Sequence, residues 1–168
     1  MNNIVLCGFM GCGKSTVGKR LAERHGLTFV DMDTYIEEQA GCSVADIFAT
    51  HGEAVFRAME HDACTVLGKQ KNLVIATGGG AVLDAGNVMA LTENGTIVFL
   101  RVNAQTVLER LKNDTSRPLL QQDNKDAAVR ALMQRRTPLY EAAARTTVDA
   151  DDEPDTVVSA IEDALSLT

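Results

Sequence analysis

Gly8-Phe9-Met10-Gly11-Cys12-Gly13-Lys14-Ser15 decides the fold. The stretch spells G-x-x-x-x-G-K-[ST] and stands between an apolar run, Asn3 to Cys7, and a segment of helical period, Lys14 to His25, in which Val17, Leu21 and Ala22 share a face. With this chain's composition the pattern would arise by chance about 0.4% of the time, before a strand and a helix are also required around it. Glycines let consecutive backbone N–H groups line one concavity, and the helix beginning beyond them adds partial positive charge, so the loop is built to hold phosphate. Lys14 then brings a point charge to the β- and γ-phosphates, and the Ser15 hydroxyl can ligate Mg²⁺. Gly11, Cys12, Gly13, Lys14, Ser15 and Thr16 are the expected phosphate contacts. Cys12 has no resolving thiol beside it and reads as a small loop residue.

Outward from the loop, short apolar runs alternate with helical segments. Thr28 to Val30, Leu73 to Ala76, Thr96 to Leu100 and Thr146 to Val148 read as further strands. Helices are expected from Ser43, spaced from Asp46 as a capping box, over residues 53 to 68 with Val55, Met59 and Val66 in register, and from Asn103 to Lys112. Two helical segments follow an aperiodic stretch, residues 113 to 124, and Pro154 opens a closing helix carrying Val157, Ile161 and Leu165. Repeated strand–helix alternation implies an α/β protein with three layers, a parallel sheet flanked by helices.

The chain has 168 residues, enough for one domain over 1–168 with a sizeable core. Its net charge is −7, with all 16 basic groups and 16 acidic ones in residues 1–145 and seven acids with no Lys or Arg in residues 146–168. That balance argues against a nucleic-acid or polybasic membrane partner. No basic n-region precedes a long apolar stretch at the start, so a cytoplasmic protein is expected. Cys7, Cys12, Cys42 and Cys64 form no Cys-x-x-Cys pair and read as free thiols.

A phosphate loop alone does not separate kinases from nucleotide switches and motor ATPases. A guanine-nucleotide switch needs Asn-Lys-x-Asp, and Asn124-Lys125-Asp126-Ala127 carries its acid one position early, in the aperiodic stretch. Leu73-Val74-Ile75-Ala76-Thr77 does not end in the acid that a large ATPase would place there. A small-molecule kinase remains. The other motifs then resemble, in order and over nearly the whole chain, the shikimate kinase family. They are Val30-Asp31-Met32-Asp33, Asp46-Ile47-Phe48 leading to Gly52-Glu53 and Phe56-Arg57, Gly78-Gly79-Gly80-Ala81-Val82, Arg117-Pro118-Leu119-Leu120, and Arg136-Thr137-Pro138-Leu139-Tyr140. The resemblance implies the fold of nucleoside-monophosphate-kinase-like P-loop proteins with a lid over about 112–124. It also implies ATP and Mg²⁺ as cofactors, shikimate as the small-molecule partner, phosphorylation of its 3-hydroxyl on the way to chorismate, and a monomer. Gluconate or nucleoside-monophosphate kinases, and a non-catalytic binding protein of the same fold, are the alternatives.

Each motif also has its own chemistry. Asp31 and Asp33 follow a strand at the carboxyl end where open α/β sheets bind ligands, and strand alternation would put both on one side. Asp31 would hold Mg²⁺ through water, and Asp33 would bond the substrate hydroxyls and could take the attacking hydroxyl's proton. Two solvated acids, or a helix cap, would look the same in sequence. Arg57, with Glu60 at i+3 to orient it, and Arg136 are implied carboxylate readers, a task suited to planar donors; Arg57 could equally make only a surface ion pair. The spacing Arg-x-Pro-Leu-Tyr selects Arg136 over Arg135. Phe48 and Phe56 would wall the substrate or simply fill the core. Gly78, Gly79 and Gly80 permit close backbone approach, with Gly79 the expected contact, or make a tight turn. Arg117 on the lid, with Lys14 and Asp33, is expected to be catalytic, and Arg110 and Pro154 are expected beside the nucleotide. The acids from Asp149 to Glu153 stand where that family faces adenine, and would weaken nucleotide binding unless turned outward.

Overall fold

A computed structural model describes residues 1–112 and 124–167. The expected lid and Arg117 lie outside the described residues. Five parallel strands, β1 (Asn3–Cys7), β2 (Thr28–Asp31), β3 (Leu73–Ala76), β4 (Gly95–Arg101) and β5 (Thr146–Asp149), pair in the order β2-β3-β1-β4-β5. Central β1 is buried at all five residues, as a strand covered on both faces must be. Its alternation sorts the two faces. Ile4 and Leu6 join one core with Val17 and Leu21 of α1 (Lys14–His25) and Val157, Val158 and Ile161 of α8 (Pro154–Ala164). Val5 and Cys7 join the other with residues of α2 (Met32–Ala40), α3 (Val44–His51), α4 (Glu53–Gly68), α5 (Ala85–Thr92) and α7 (Lys125–Ala143). A 3₁₀ turn, Ala81–Leu83, precedes α5, and α6 (Ala104–Arg110) follows β4.

The expected caps form: Ser43 Oγ accepts from the Asp46 N–H at 3.1 Å, and Asn103 Oδ1 from the Thr106 N–H at 2.8 Å. Pro154 opens α8 in its first turn, where its missing N–H costs nothing. Three expectations are corrected. Asp31 and Asp33 are not successive residues on one side of a strand: β2 ends at Asp31, whose Oδ1 caps α2 by accepting from the Thr34 N–H at 3.1 Å, and Asp33 lies in the first turn of that helix. On α4 the buried face is Phe56, Glu60, Ala63, Cys64 and Leu67, while Val55 and Val66 are exposed, because a buried carboxylate takes a position that an apolar count assigns to water. After the aperiodic stretch one helix, α7, runs from Lys125 through Pro138 to Ala143. Val129 before the proline is buried in the first core and Tyr140 after it in the second, so the helix is held on both sides of Pro138. No helix of the described residues is long and apolar enough to cross a membrane.

Candidate active site

The phosphate loop leaves β1 at its carboxyl end and feeds α1. Gly13 stands at the cap of α1 with φ 93°, a left-handed conformation that β-carbons resist, and no side chain caps the helix, which leaves its first N–H groups to a ligand. Gly8 has no room for a side chain: a Cβ would lie 2.7 Å from the Leu100 carbonyl. The Lys14 ammonium folds across the loop and donates to the carbonyls of Gly8 at 2.7 Å and Phe9 at 3.2 Å. Cys12 is buried beneath the loop and its N–H donates to the Phe9 carbonyl at 3.2 Å, so of the expected phosphate contacts this one spends its donor inside the turn.

Two clefts of about 500 Å³ open on either side of the loop, sharing Gly13 as a rim. The one toward β2 and β3 gathers Asp31, Asp33, Phe48, Phe56, Arg57, the three glycines and Arg136 beside Gly11, Lys14 and Ser15. Arg135 is exposed and does not line this cleft. Sequence reasoning named every one of those residues, but not why the glycines are there. A Cβ on Gly78 would stand 2.8 Å from Asp33 Oδ1, on Gly79 3.1 Å from Arg136 Nη1, and on Gly80 2.6 Å from Arg57 Nη1. Each glycine makes room for one charged side chain, so the turn is a floor shaped around three polar groups.

Those groups are held from behind. Arg57 Nη1 donates to Glu60 Oε1 at 2.9 Å, and the Glu60 side chain is only 2% exposed. Burial pushes the Glu60 carboxyl above the ordinary range, the bond and charge of Arg57 pull it down, and Asp33 and Asp84 push it up again. Phe48 and Phe56 meet with ring centroids 4.8 Å apart, Phe56 buried and Phe48 partly exposed at the mouth. Tyr140, which no sequence argument marked as part of the site, is buried and donates its hydroxyl to the Gly79 carbonyl at 2.5 Å. Its distance of four residues from Arg136 on one helix was the available signal. Behind the turn, Asn87 Nδ2 donates to the Ala81 carbonyl at 2.9 Å, and Asn87 Oδ1 lies 2.8 Å from His61 Nδ1. With the amide nitrogen so engaged, His61 must carry its proton on Nδ1.

The second cleft, toward β4 and β5, takes Thr16, Arg110 and Pro154 as expected, with Asp151, Asp152 and Glu153 on its wall. Arg110 bridges the two sides of this cleft, donating to the carbonyls of Gly11 at 3.1 Å and Ala150 at 3.0 Å. Two of the acids turn away from it: Asp149 binds Arg101 at 2.7 Å, and Asp151 Oδ1 accepts from the Asn103 N–H at 3.0 Å. Asp152 and Glu153 have no ion-pair partner among the described residues.

The donor set where the first cleft meets the phosphate loop fits Mg²⁺. Ser15 Oγ donates to Asp31 Oδ2 at 3.0 Å, which brings a hydroxyl and a carboxylate, hard oxygen ligands both, to the edge of the phosphate loop. No group of three or more His, Cys, Asp or Glu side chains gathers among the described residues, so an ion here would take few protein ligands and complete its shell with phosphate and water, as Mg²⁺ prefers.

A phosphate loop with a nucleotide-sized cleft on one side and, on the other, a pocket carrying two guanidiniums and a carboxylate defines a P-loop kinase for a small polar acceptor. The model of the shikimate kinase family matches residues 10–166, and the chain belongs to that family. It is accordingly an ATP-dependent, Mg²⁺-using phosphotransferase of aromatic amino-acid biosynthesis. A shikimate kinase of Xanthomonas campestris pv. campestris is 47% identical over 149 residues, 89% of this chain and 83% of its own length. One from Caldanaerobacter subterraneus subsp. tengcongensis is 42% identical over 153 residues, 91% and 89% of the two chains. The structure of a shikimate kinase from Acinetobacter baumannii in complex with shikimate superposes with a TM-score of 0.91 over 99% of this chain and 94% of that one, at 38% identity. A gluconokinase from Sinorhizobium meliloti 1021 aligns with a TM-score of 0.60 at 18% identity over 98% of this chain and 91% of its own, a likeness of fold alone.

Proposed function

We propose that the two clefts bring the γ-phosphoryl group of ATP to the 3-hydroxyl of shikimate, and that the residues named above carry the parts of that reaction. One observation supports the assignment most: the three glycines each admit one charged side chain, so that Asp33, Arg136 and Arg57 share a single pocket beside Lys14. Arg57 and Arg136 hold the substrate carboxylate, each as a planar donor. Asp33 accepts from the ring hydroxyls and orients the one that reacts. Phe48 and Phe56 exclude water from the ring's apolar side.

In the transfer step the hydroxyl oxygen forms the new O–P bond as the bond from the γ-phosphorus to the bridging oxygen of ADP breaks, and the hydroxyl proton passes to Asp33. Lys14 leaves its loop carbonyls to meet the phosphate oxygens, and the N–H groups of Gly11, Gly13, Ser15 and Thr16 hold the phosphate chain. Ser15, and Asp31 through water, would hold Mg²⁺, which would supply neutralisation of charge on the phosphates. Arg117, assigned by its sequence motif, would add a second cation. Arg110 and Pro154 flank the base. The acting unit in this reading is a monomer.

The test is ADP release measured across shikimate, quinate, gluconate and CMP, with and without Mg²⁺. Release should require Mg²⁺ and be fastest with shikimate. A carboxylate-free acceptor outcompeting shikimate would contradict the roles given to Arg57 and Arg136.

A further inference from the structure

Tyr140 lies outside the set of groups that touch substrate in the preceding account, yet it closes a small mechanical loop within that set. Its hydroxyl donates to the Gly79 carbonyl. Gly79 in turn is the glycine whose missing Cβ leaves room for Arg136 Nη1, and a Cβ there would also stand 3.8 Å from the Tyr140 oxygen. Arg136 sits four residues before Tyr140 on α7, so the two side chains leave the same helix face one turn apart. Helix, wall and guanidinium are therefore tied at one joint. On its far side the Tyr140 ring rests on Phe99 of β4, with centroids 5.2 Å apart. The ring is anchored in the core and only the hydroxyl reaches the site.

We propose that Tyr140 is a positioning residue for substrate capture: its hydrogen bond to Gly79 sets the distance between α7 and the triglycine wall, and through it the place where Arg136 meets the carboxylate. This rests on the assignment of Arg136 as a carboxylate reader. Arg57 comes from α4, and the two guanidiniums border one wall, Arg57 at Gly80 and Arg136 at Gly79. A planar bidentate contact tolerates little displacement, so a loosened wall should weaken binding of the carboxylate while leaving the nucleotide cleft untouched. Burial pushes the Tyr140 hydroxyl up to about 12, with the charge of Arg136 pulling the other way, so the hydroxyl remains a donor throughout the working pH range.

The experiment compares Tyr140→Phe, Gly79→Ala, Arg136→Lys and the double variant Tyr140→Phe/Arg136→Lys with the parent enzyme in steady-state kinetics. Tyr140→Phe keeps the ring on Phe99 and removes the hydroxyl's bond to Gly79 together with its contact to Arg136, so KM for shikimate should rise about three- to tenfold with KM for ATP unchanged. Gly79→Ala approaches the same joint from the other side and should give the same split. In the Arg136→Lys background the Tyr140→Phe effect on shikimate KM should vanish, because the group being positioned is gone. An unchanged shikimate KM in Tyr140→Phe, an equal rise in KM for ATP, or an undiminished effect in the Arg136→Lys background overturns the proposal. If Arg136→Lys itself leaves shikimate KM unaltered, the assignment of Arg136 fails and the proposal with it. If only Arg136→Lys raises it, the assignment stands and the role of Tyr140 falls.

Discussion

Charge at the acceptor pocket is arranged by a buried carboxylate on its lining. Glu60 is buried and orients Arg57, whose own side chain is 38% exposed and can be rehydrated. Burial raises the folded pKa of Glu60 above its unfolded value. A group raised in this way stabilises the fold fully below its unfolded pKa, and that contribution is lost as pH rises through the folded value. Glu60→Gln should therefore match or exceed the parent in thermal stability at pH 7 to 8 and lose that advantage as the pH falls. The same substitution should raise KM for shikimate roughly tenfold, by removing the anion that aims Arg57. In the parent, shikimate KM should begin to climb on acidification above the ordinary glutamate range, whereas in Glu60→Gln it stays high and flat. Melting curves and KM measured from pH 5 to 8 check both. At this scale the charged residues of the pocket were legible in the sequence because chemistry restricts which side chains can do such work. Tyr140 and the His61–Asn87 brace were not, since a buried tyrosine, a surface histidine and an asparagine carry no pattern until a fold brings Gly79 and Ala81 to them.

Elements are placed by close approaches that only some residues allow. The last residue of α4, Gly68, packs so tightly on α5 that a Cβ would stand 2.1 Å from the Ala90 carbonyl, and the Asn94 amide donates to the Gly68 carbonyl at 3.0 Å. Backbone cannot yield as a flexible side chain can. Gly68→Ala should cost about 3 kcal/mol of stability in urea unfolding. It lies eight residues past Glu60, about 12 Å along the helix, so kcat at low temperature should be retained by whatever fraction remains folded. β1, β3 and β4 could be read from apolar runs, because a buried parallel strand has little choice but to be apolar, whereas the partly exposed edge strands β2 and β5 were read from short mixed stretches in the strand–helix alternation. The start of α2 could not. Met32 follows the strand directly, and the cap is Asp31, a residue that also served as an expected metal group; only the bond to the Thr34 N–H distinguishes the two uses, and it serves one carboxylate oxygen while Ser15 uses the other. The face of α4 was misread for a related reason, since Glu60 occupies the buried stripe.

Across the whole molecule, the strand order β2-β3-β1-β4-β5 puts β1 between the two clefts, with the acceptor pocket on the β2–β3 side and the nucleotide cleft on the β4–β5 side. Three of the seven acids of residues 146–168 pair with arginines: Asp155 with Arg20 and Arg24, Glu162 with Arg24, and Asp149 with Arg101. Composition located the acids but not their partners, which lie more than a hundred residues away on α1 or across on β4. Asp152 and Glu153 remain at the nucleotide cleft, facing a polyanionic ligand. Replacing them together by Asn and Gln should lower KM for ATP about twofold at low ionic strength and leave it nearly unchanged at high salt, the behaviour of exposed, screened charges. KM for ATP at two salt concentrations measures it. The central claim, that this architecture carries phosphate from ATP to a shikimate hydroxyl held by Asp33, is tested most directly by shikimate-dependent ADP release in the parent and in Asp33→Asn. The account predicts release that depends on shikimate and falls at least about a hundredfold in kcat in the variant. Release independent of shikimate, or an Asp33→Asn variant that turns over at the parental rate, would contradict it.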